Sequence, residues 1–396
     1  MRLSSSIGRF AAVKIALAGM MAAMLVACGA PGAGGGGPGG ASFTESTGAV
    51  KVALLLPVTS SGSTPAVAKA LKQAAELALF DFDNPNVSLV PKDTKGTPDG
   101  ARLAAESAIK DGAELIIGPL FAQEVAGAAP VARQAGIPMI AFSSDEKVAG
   151  NGVYLLSFQA GRDVPRIVSF AMSKGKRSFA QLVPQSPYGR VAESAFAKAV
   201  SGGGGETSVR AAFPTDDSNA MLGPVRQIAN AIKGGQKVDA LFLPAGREEL
   251  PSLAPLLASS DLTSGRLQFV GTGQWDYPNI GGEKALVGGW YPAPDPKGWS
   301  NFVQGYSKTY GSVPPRLASL AYDAVSLAVS LSQNPPGQRY DMGQLTRASG
   351  FAGIDGLFRL LPDGTCERGL AILEVREGGP VVIDPAPSSF ATASSY

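Results

Sequence analysis

The sequence predicts an α/β protein made of two Rossmann-like lobes, each a parallel central sheet flanked by helices, behind a flexible N-terminal tether. Three observations predict it. Short apolar runs bounded by turn residues recur from Lys51 onward. Stretches with apolar positions at helical spacing separate them. The whole rhythm then starts again after Tyr154. Buried strands alternating with amphipathic helices indicate parallel sheets covered on both faces.

In the first set, VALLLPV (52–58) reads as a buried strand closed by the loop Thr59–Ser63, and Pro65 opens a helix through AVAKALKQAAELAL. VSLVPKDT (87–94) is the next strand, Pro98 to Lys110 a helix, ELIIGPL (114–120) a strand, 123–134 a helix and IPMIAF (137–142) a strand. The second set has a helix at 163–173, SFAQLVP (178–184) as a strand and a helix at 188–200. A strand at 208–213, a helix at 219–233, DALFLPA (239–245) as a strand, a helix at 248–257 and the strand LQFVGTG (267–273) follow. Two such sheets with their carboxyl ends facing one another form a cleft, the usual ligand position in open α/β folds.

Residues 1–27 read as a secretion signal. Arg2, Arg9 and Lys14 precede an uncharged stretch, Ile15–Ala27, that is too short to span a bilayer. It ends in Leu25-Val26-Ala27-Cys28, which resembles a bacterial lipobox and predicts lipidation of Cys28. Residues 28–49 are Gly/Pro/Ala/Ser-rich and read as a flexible linker, about 25 Å in typical span. The glycines there follow no strand and open no helix, so they are not a phosphate loop. Residues 386–396 read as a disordered tail.

The chain has 396 residues and no histidine, which excludes Ser-His-Asp and Cys-His catalysis and His-ligated zinc. Its two cysteines, Cys28 and Cys366, cannot build a thiolate metal site, and no metal or cofactor is expected. A lipidated Cys28 leaves Cys366 as an inert thiol beside the turn Pro362–Thr365. Net charge is +2 with no basic run, which argues against nucleic acid. Paired carboxylates at Asp145/Glu146 and Asp216/Asp217 lie beside turn residues and read as solvated surface, so the protein is expected not to be an enzyme.

From Lys51 to about Asp384 the chain resembles the type I periplasmic-binding-protein superfamily, its leucine/isoleucine/valine-binding branch above all. VALLLPVTSSG, Gly136–Ile140, Pro187-Tyr188-Gly189, Phe302 with Tyr306 and Tyr310-Gly311, Ala321–Val325 and Gly353–Gly356 through Gly364 carry the resemblance. It implies a bilobed domain, 50–385, with lobe one at 50–157 and 287–331 and lobe two at 158–286 and 332–385. Hinges would lie near Phe158, Leu286 and Asn334. The third-strand loop, Gly118–Val125, has no hydroxyl, whereas amino-acid receptors of the branch hold a ligand carboxylate with Ser/Thr-rich loops. In the fourth, Ser143-Ser144 is followed by Asp145-Glu146, which would repel an anion. The Gly-Pro-Leu loop and lipobox look more like the penicillin-binding protein activator lipoproteins, although the helical-repeat domain typical of those is missing.

The resemblance therefore implies a non-catalytic envelope lipoprotein that regulates a peptidoglycan synthase. The alternative is the substrate-binding lipoprotein of an ABC importer for branched-chain amino acids or other small polar solutes, with a permease partner. The lipid would hold it to the outer rather than the inner membrane, by analogy with Gly29. The ligand-contact candidates are Ser60, Ser61, Phe121, Gln123, Ser143, Ser144, Tyr188 and Glu248: hydroxyls and an amide for polar groups, two aromatics for an apolar part, a carboxylate for an ammonium. Turn and cap chemistry accounts for the serines equally well, core packing for Phe121, and helix-start placement for Tyr188 and Glu248. Trp275 and Trp290 read either as a partner surface or as packing near a hinge.

Overall fold

A computed structural model describes residues 48–390. The expected signal segment 1–27, Cys28 and the expected linker as far as Thr47 lie outside the described residues, as do 391–396. From Gly48 the chain forms one compact unit.

In the first lobe, β1 (Val50–Leu56), α1 (Thr64–Phe80), β2 (Val87–Asp93), α2 (Pro98–Lys110), β3 (Leu115–Ile117), α3 (Ala122–Gln134), β4 (Met139–Ala141) and β5 (Val153–Leu155) follow in order. The strands form one parallel sheet ordered β2-β1-β3-β4-β5. The alternation of β1 explains why its run is wholly apolar. Val52, Leu54 and Leu56 point into one core, shared with α1, while Ala53 and Leu55 point into the other, under α2 and α3. A strand buried on both faces has no place for a polar residue. Each buried leucine contributes about 1.5–3 kcal/mol.

The second lobe takes α4 (Val164–Ser173), β6 (Ser178–Pro184), α5 (Pro187–Gly202), β7 (Glu206–Phe213), α6 (Leu222–Lys233), β8 (Ala240–Phe242), α7 (Leu250–Ser259), β9 (Gln268–Val270) and β10 (Trp290–Ala293). The strands lie parallel in the order β10-β9-β8-β6-β7. Again β6 divides its residues, Ala180 and Leu182 to one core, Phe179 and Val183 to the other.

The chain then returns. α8 (Pro296–Tyr310) and α9 (Ala318–Leu331) pack on lobe one; Tyr306 donates to Gln73 Oε1 at 2.7 Å and Tyr310 to the Gln73 carbonyl at 2.9 Å. The short α10 (Met342–Leu345) and an antiparallel sheet of β11 (Phe351–Gly353), β12 (Gly356–Leu360) and β13 (Cys366–Arg368) share that core. Finally β14 (Ala371–Glu374) and β15 (Val381–Asp384) extend the second sheet antiparallel to β10.

The crossings therefore differ from the expected hinges in two of three places. The first runs from Leu156 past Phe158 into α4. The second follows Ala293 rather than Leu286, because Trp290–Ala293 pairs with β9 and β14 inside the second sheet. The third follows Arg368 rather than Asn334, because Tyr340, Leu345, Phe351 and Phe358 are buried in the lobe-one core. The tail expected from 386 is not wholly loose: Phe390 is buried, with the Arg359 guanidinium 4.5 Å from its ring centroid. Trp275 is not a surface residue. It is fully buried and donates its indole N–H to the Leu243 carbonyl at 3.1 Å. Gly271 and Gly289 make room for it; a Cβ on Gly271 would sit 2.2 Å from the indole. Trp290 is half-buried, edge-on to Phe170. Among the described residues no helix is long and apolar enough to cross a membrane.

Candidate functional site

The two lobes enclose a cavity of about 400 Å³ that draws its lining from both. Lobe one contributes Ser144 after β4, Arg316 ahead of α9, and Cys366 and Arg368 on β13; the first crossing adds Ser157, Phe158 and Gln159. Lobe two contributes Asp163 before α4, Tyr188 at the start of α5, the Gly273–Gln274 turn with Asp276 after β9, and Pro292–Pro294 at the end of β10. Most of these residues follow the carboxyl ends of parallel strands, where open α/β sheets bind their ligands.

Tyr188 is placed by the local sequence. Ser186 caps α5 by accepting the Gly189 N–H at 3.1 Å, and Pro187 occupies the first helical position. Gly189 must be glycine, since a Cβ would lie 1.9 Å from the Pro184 carbonyl oxygen. The Tyr188 hydroxyl is 2.7 Å from Thr272 Oγ1, tying α5 to the segment after β9. Burial, with the neighbouring Asp163 charge, pushes its pKa up, so the phenol stays neutral. Asp163 accepts the Gly273 N–H at 2.5 Å through Oδ2, while its Oδ1 is buried without a hydrogen-bond partner. Burial raises the Asp163 pKa against the backbone N–H groups that favour its charge. Asp276 stands open to the cleft; burial among the lining walls raises its pKa too, with Arg316 opposing and Asp355 adding to the effect.

Each cationic side chain of the lining has a carboxylate within 4 Å, but the three guanidinium nitrogens of Arg368 and Nη1 of Arg316 are buried without a hydrogen-bond partner. Arg162 binds Glu146 at 2.9 Å, Arg316 binds Asp355 at 2.5 Å, and Arg368 lies 3.8 Å from Asp323. Two guanidiniums also stack: Arg316 over Trp299 at 4.5 Å, and Arg368 over Phe158 at 4.8 Å. Cys366 is a buried thiol donating to the Ser157 carbonyl at 3.3 Å, and burial raises its pKa, which fits the inert thiol expected.

Of the eight expected contact residues, Ser144 and Tyr188 line the cavity and six do not. Ser60 turns its hydroxyl to the Pro57 carbonyl at 3.0 Å, and Ser61 is exposed outside the lining. Phe121 is 37% exposed and begins α3, its N–H held by Glu124 at 2.9 Å. Gln123 donates to the Gly96 carbonyl at 3.0 Å. Ser143 is buried and accepts the Asp145 N–H at 3.1 Å. Glu248 is exposed in the turn before α7, and the side chain of its neighbour Glu249 reaches back into that turn, accepting the Gly246 N–H at 2.9 Å. The four carboxylates of the Asp145/Glu146 and Asp216/Asp217 pairs are exposed, as expected. Arg316, Arg368, Asp163 and Asp276 were not anticipated. Among the described residues no cluster of His, Cys, Asp and Glu could hold a metal.

Comparison with known proteins agrees with this architecture. A Leu/Ile/Val-binding protein homologue of Brucella melitensis is 26% identical over 192 residues, 46% of this chain and 47% of that protein; the chain thus matches about half the relative's length. A structure assigned to a branched-chain amino acid ABC transporter of Rhodospirillum rubrum superposes with a TM-score of 0.74 at 20% identity, over 85% of this chain and all of that one. The substrate-binding protein of a branched-chain amino acid transporter from Streptococcus pneumoniae, solved with isoleucine, gives 0.54 at 18% identity, over 85% and 99%. At these identities the structures carry the fold alone. None of these three is named as a cell-wall activator, the role expected first. The pattern of the family described as periplasmic binding protein matches residues 49–380. With two parallel-sheet lobes, three crossings and a cavity between them, the chain belongs to the periplasmic binding protein family.

Proposed function

We propose that this protein is the solute receptor of an ABC importer, closing its lobes on a small polar molecule and presenting the closed form to a permease. The observation that carries the reading is the cavity of about 400 Å³, lined by both lobes and crossed by the connecting segments. Its size suits a small solute, and both structural relatives named above come from amino-acid transporters. The function is non-catalytic: no histidine is present, and the buried thiol is held to a backbone carbonyl. Lipidation at Cys28 would keep the receptor at its membrane.

The test is a thermal-shift screen of the full chain against amino acids, amines, organic acids and neutral amides, followed by small-angle scattering with any hit. A ligand raising the melting temperature and shrinking the radius of gyration is expected. A screen in which no solute of any class stabilises the protein would remove the reading. Recovery of a peptidoglycan synthase from solubilised envelope, with no effect of any solute, would restore the regulator in its place.

A further inference from the structure

We propose that the cleft takes a monocarboxylate whose anionic end is received by Arg316 and Arg368, a guanidinium pair on the returning segment of lobe one, and not by the loops at the strand ends. The inference rests on the solute-receptor reading; it names the class of solute and the residues that hold its charge in that same cavity.

Five donor nitrogens in side chains of the lining are buried without an acceptor among the described residues. They are Nε, Nη1 and Nη2 of Arg368, Nη1 of Arg316 and Nε2 of Gln159. The Arg368 side chain is only 6% exposed, so bulk solvent does not supply the acceptor. Buried donors left open are costly and uncommon, charged ones above all, and a ligand acceptor relieves them. Both guanidiniums also lie against one ring. Their central carbons are 5.3 Å (Arg316) and 4.8 Å (Arg368) from the centroid of Phe158, which itself lines the cavity. The lobe crossings thus gather a residue before α9 and a residue on β13 at one place in the wall. A planar fork of N–H donors matches the two oxygens of a carboxylate.

The counter-ions of the pair do not use it up. Asp355 lies 2.5 Å from Nη2 of Arg316, which leaves Nη1 of that fork open. Asp323 stands 3.8 Å from Nη1 of Arg368, too far for a hydrogen bond, and its Oδ1 already accepts the Ile354 N–H at 2.7 Å. Burial pushes Asp323 towards its neutral form, against the pull of Arg368, so the Arg368 charge is only partly cancelled.

The strand-end loops of lobe one, by contrast, have spent donors on carboxylates of their own. After β1, Asp93 accepts the N–H groups of Val58 at 2.9 Å and Thr59 at 3.3 Å, and the Thr59 hydroxyl as well. After β3, Glu124 accepts the Phe121 N–H and the Thr94 hydroxyl. An anion brought beside these would be repelled. On the lobe-two wall Asp163 and Asp276 would likewise repel a second carboxylate, and Asp163 Oδ1 is buried without a donor. That wall suits the other end of the solute, an ammonium or a hydroxyl.

The test sets each acid against its own carboxamide, nearly equal in shape and lacking the negative charge, on the purified full chain. The pairs are L-leucine and L-leucinamide, 4-hydroxybenzoate and 4-hydroxybenzamide, 3-hydroxybutanoate and 3-hydroxybutanamide, and any acid from the broad screen with its amide. Calorimetry is expected to show at least one acid binding roughly tenfold or more tighter than its amide. Arg368→Gln and Arg316→Gln should each remove most of that preference. Arg368→Lys and Arg316→Lys keep a charge beside Asp323 and Asp355 and are the variants expected to fold; losing the fork, they should retain only part of it. An arginine with a purely structural role would lower the melting temperature and leave the acid-to-amide ratio unchanged. Full acid preference in folded variants of both arginines, amides binding as tightly as their acids, or hits confined to solutes without a carboxylate would overturn the assignment and leave the receptor reading standing. If the broad screen is blank as well, both fall.

Discussion

Asp323 and Arg368 face one another 3.8 Å apart with side chains 0% and 6% exposed, a charged pair sunk into the wall of the cleft. Burial is the chief influence on Asp323; Arg368 opposes it and Asp355 adds to it, leaving the carboxyl pushed up to about 7 from 3.8. A carboxyl raised on folding binds more protons folded than unfolded. Its contribution is therefore intact below about pH 4 and is lost as pH rises to about 7, then stays level. Stability should fall between pH 5 and pH 8, by on the order of 2–4 kcal/mol from this group. In Asp323→Asn that slope should flatten, even though Arg368 then lacks its counter-ion and the variant is less stable overall. Urea denaturation at several pH values measures it, and equal slopes in both proteins would refute the assignment.

The division of β1 between two cores predicts unequal costs along neighbouring apolar positions. Leu54 is 1% exposed, inside the core shared with α1 and α9. Leu54→Ala should cost about 2–5 kcal/mol through lost transfer energy and the cavity left behind. Leu103, on α2, is 54% exposed, and Leu103→Ala should change stability by no more than about 0.5 kcal/mol. Equal denaturation midpoints for the two variants would contradict the burial described.

How much of this was legible in the sequence follows from which forces are local. α2 and β6 occupy the expected residues because caps, helical periodicity and two-faced burial are written in consecutive positions. β3 shrank from seven expected residues to Leu115–Ile117 because the chain leaves the sheet at Gly118, whose φ is +90° and whose added Cβ would lie 2.2 Å from the Leu55 carbonyl oxygen. Arg316 and Arg368 were invisible as cleft residues, since only the lobe crossings bring a residue before α9 and the end of β13 to the same wall. Trp275 was misread for a related reason: the glycines that admit its ring, Gly271 and Gly289, come from different segments. Tyr188 was found because its helix start is marked by Ser186, Pro187 and Gly189 in one short run.

Tyr188→Phe tests the link across the cleft wall. It removes the hydroxyl bonded to Thr272 Oγ1 at 2.7 Å and leaves the fully buried Thr272 hydroxyl without it. A loss of about 1–2 kcal/mol is expected. Because Tyr188 also lines the cavity, the affinity for any stabilising solute should fall severalfold in the same variant. Unchanged stability with unchanged affinity would mean that this contact is not formed in solution.

Glu248 and Glu249 look interchangeable in sequence, yet the fold separates them. Glu249 closes the start of α7, its Oε2 accepting the Gly246 N–H at 2.9 Å, while Glu248 is exposed in the preceding turn. A carboxylate at a helix start that also accepts a backbone N–H of the preceding turn contributes through that hydrogen bond and through the helix dipole together. Glu249→Ala should therefore cost about 0.5–2 kcal/mol, whereas Glu248→Ala should stay within about 0.5 kcal/mol and leave solute binding unaltered. Urea midpoints and calorimetry on the two variants decide between them. A larger effect at Glu248, or a loss of solute binding there, would return that residue to the ligand and require the cavity to extend past the turn.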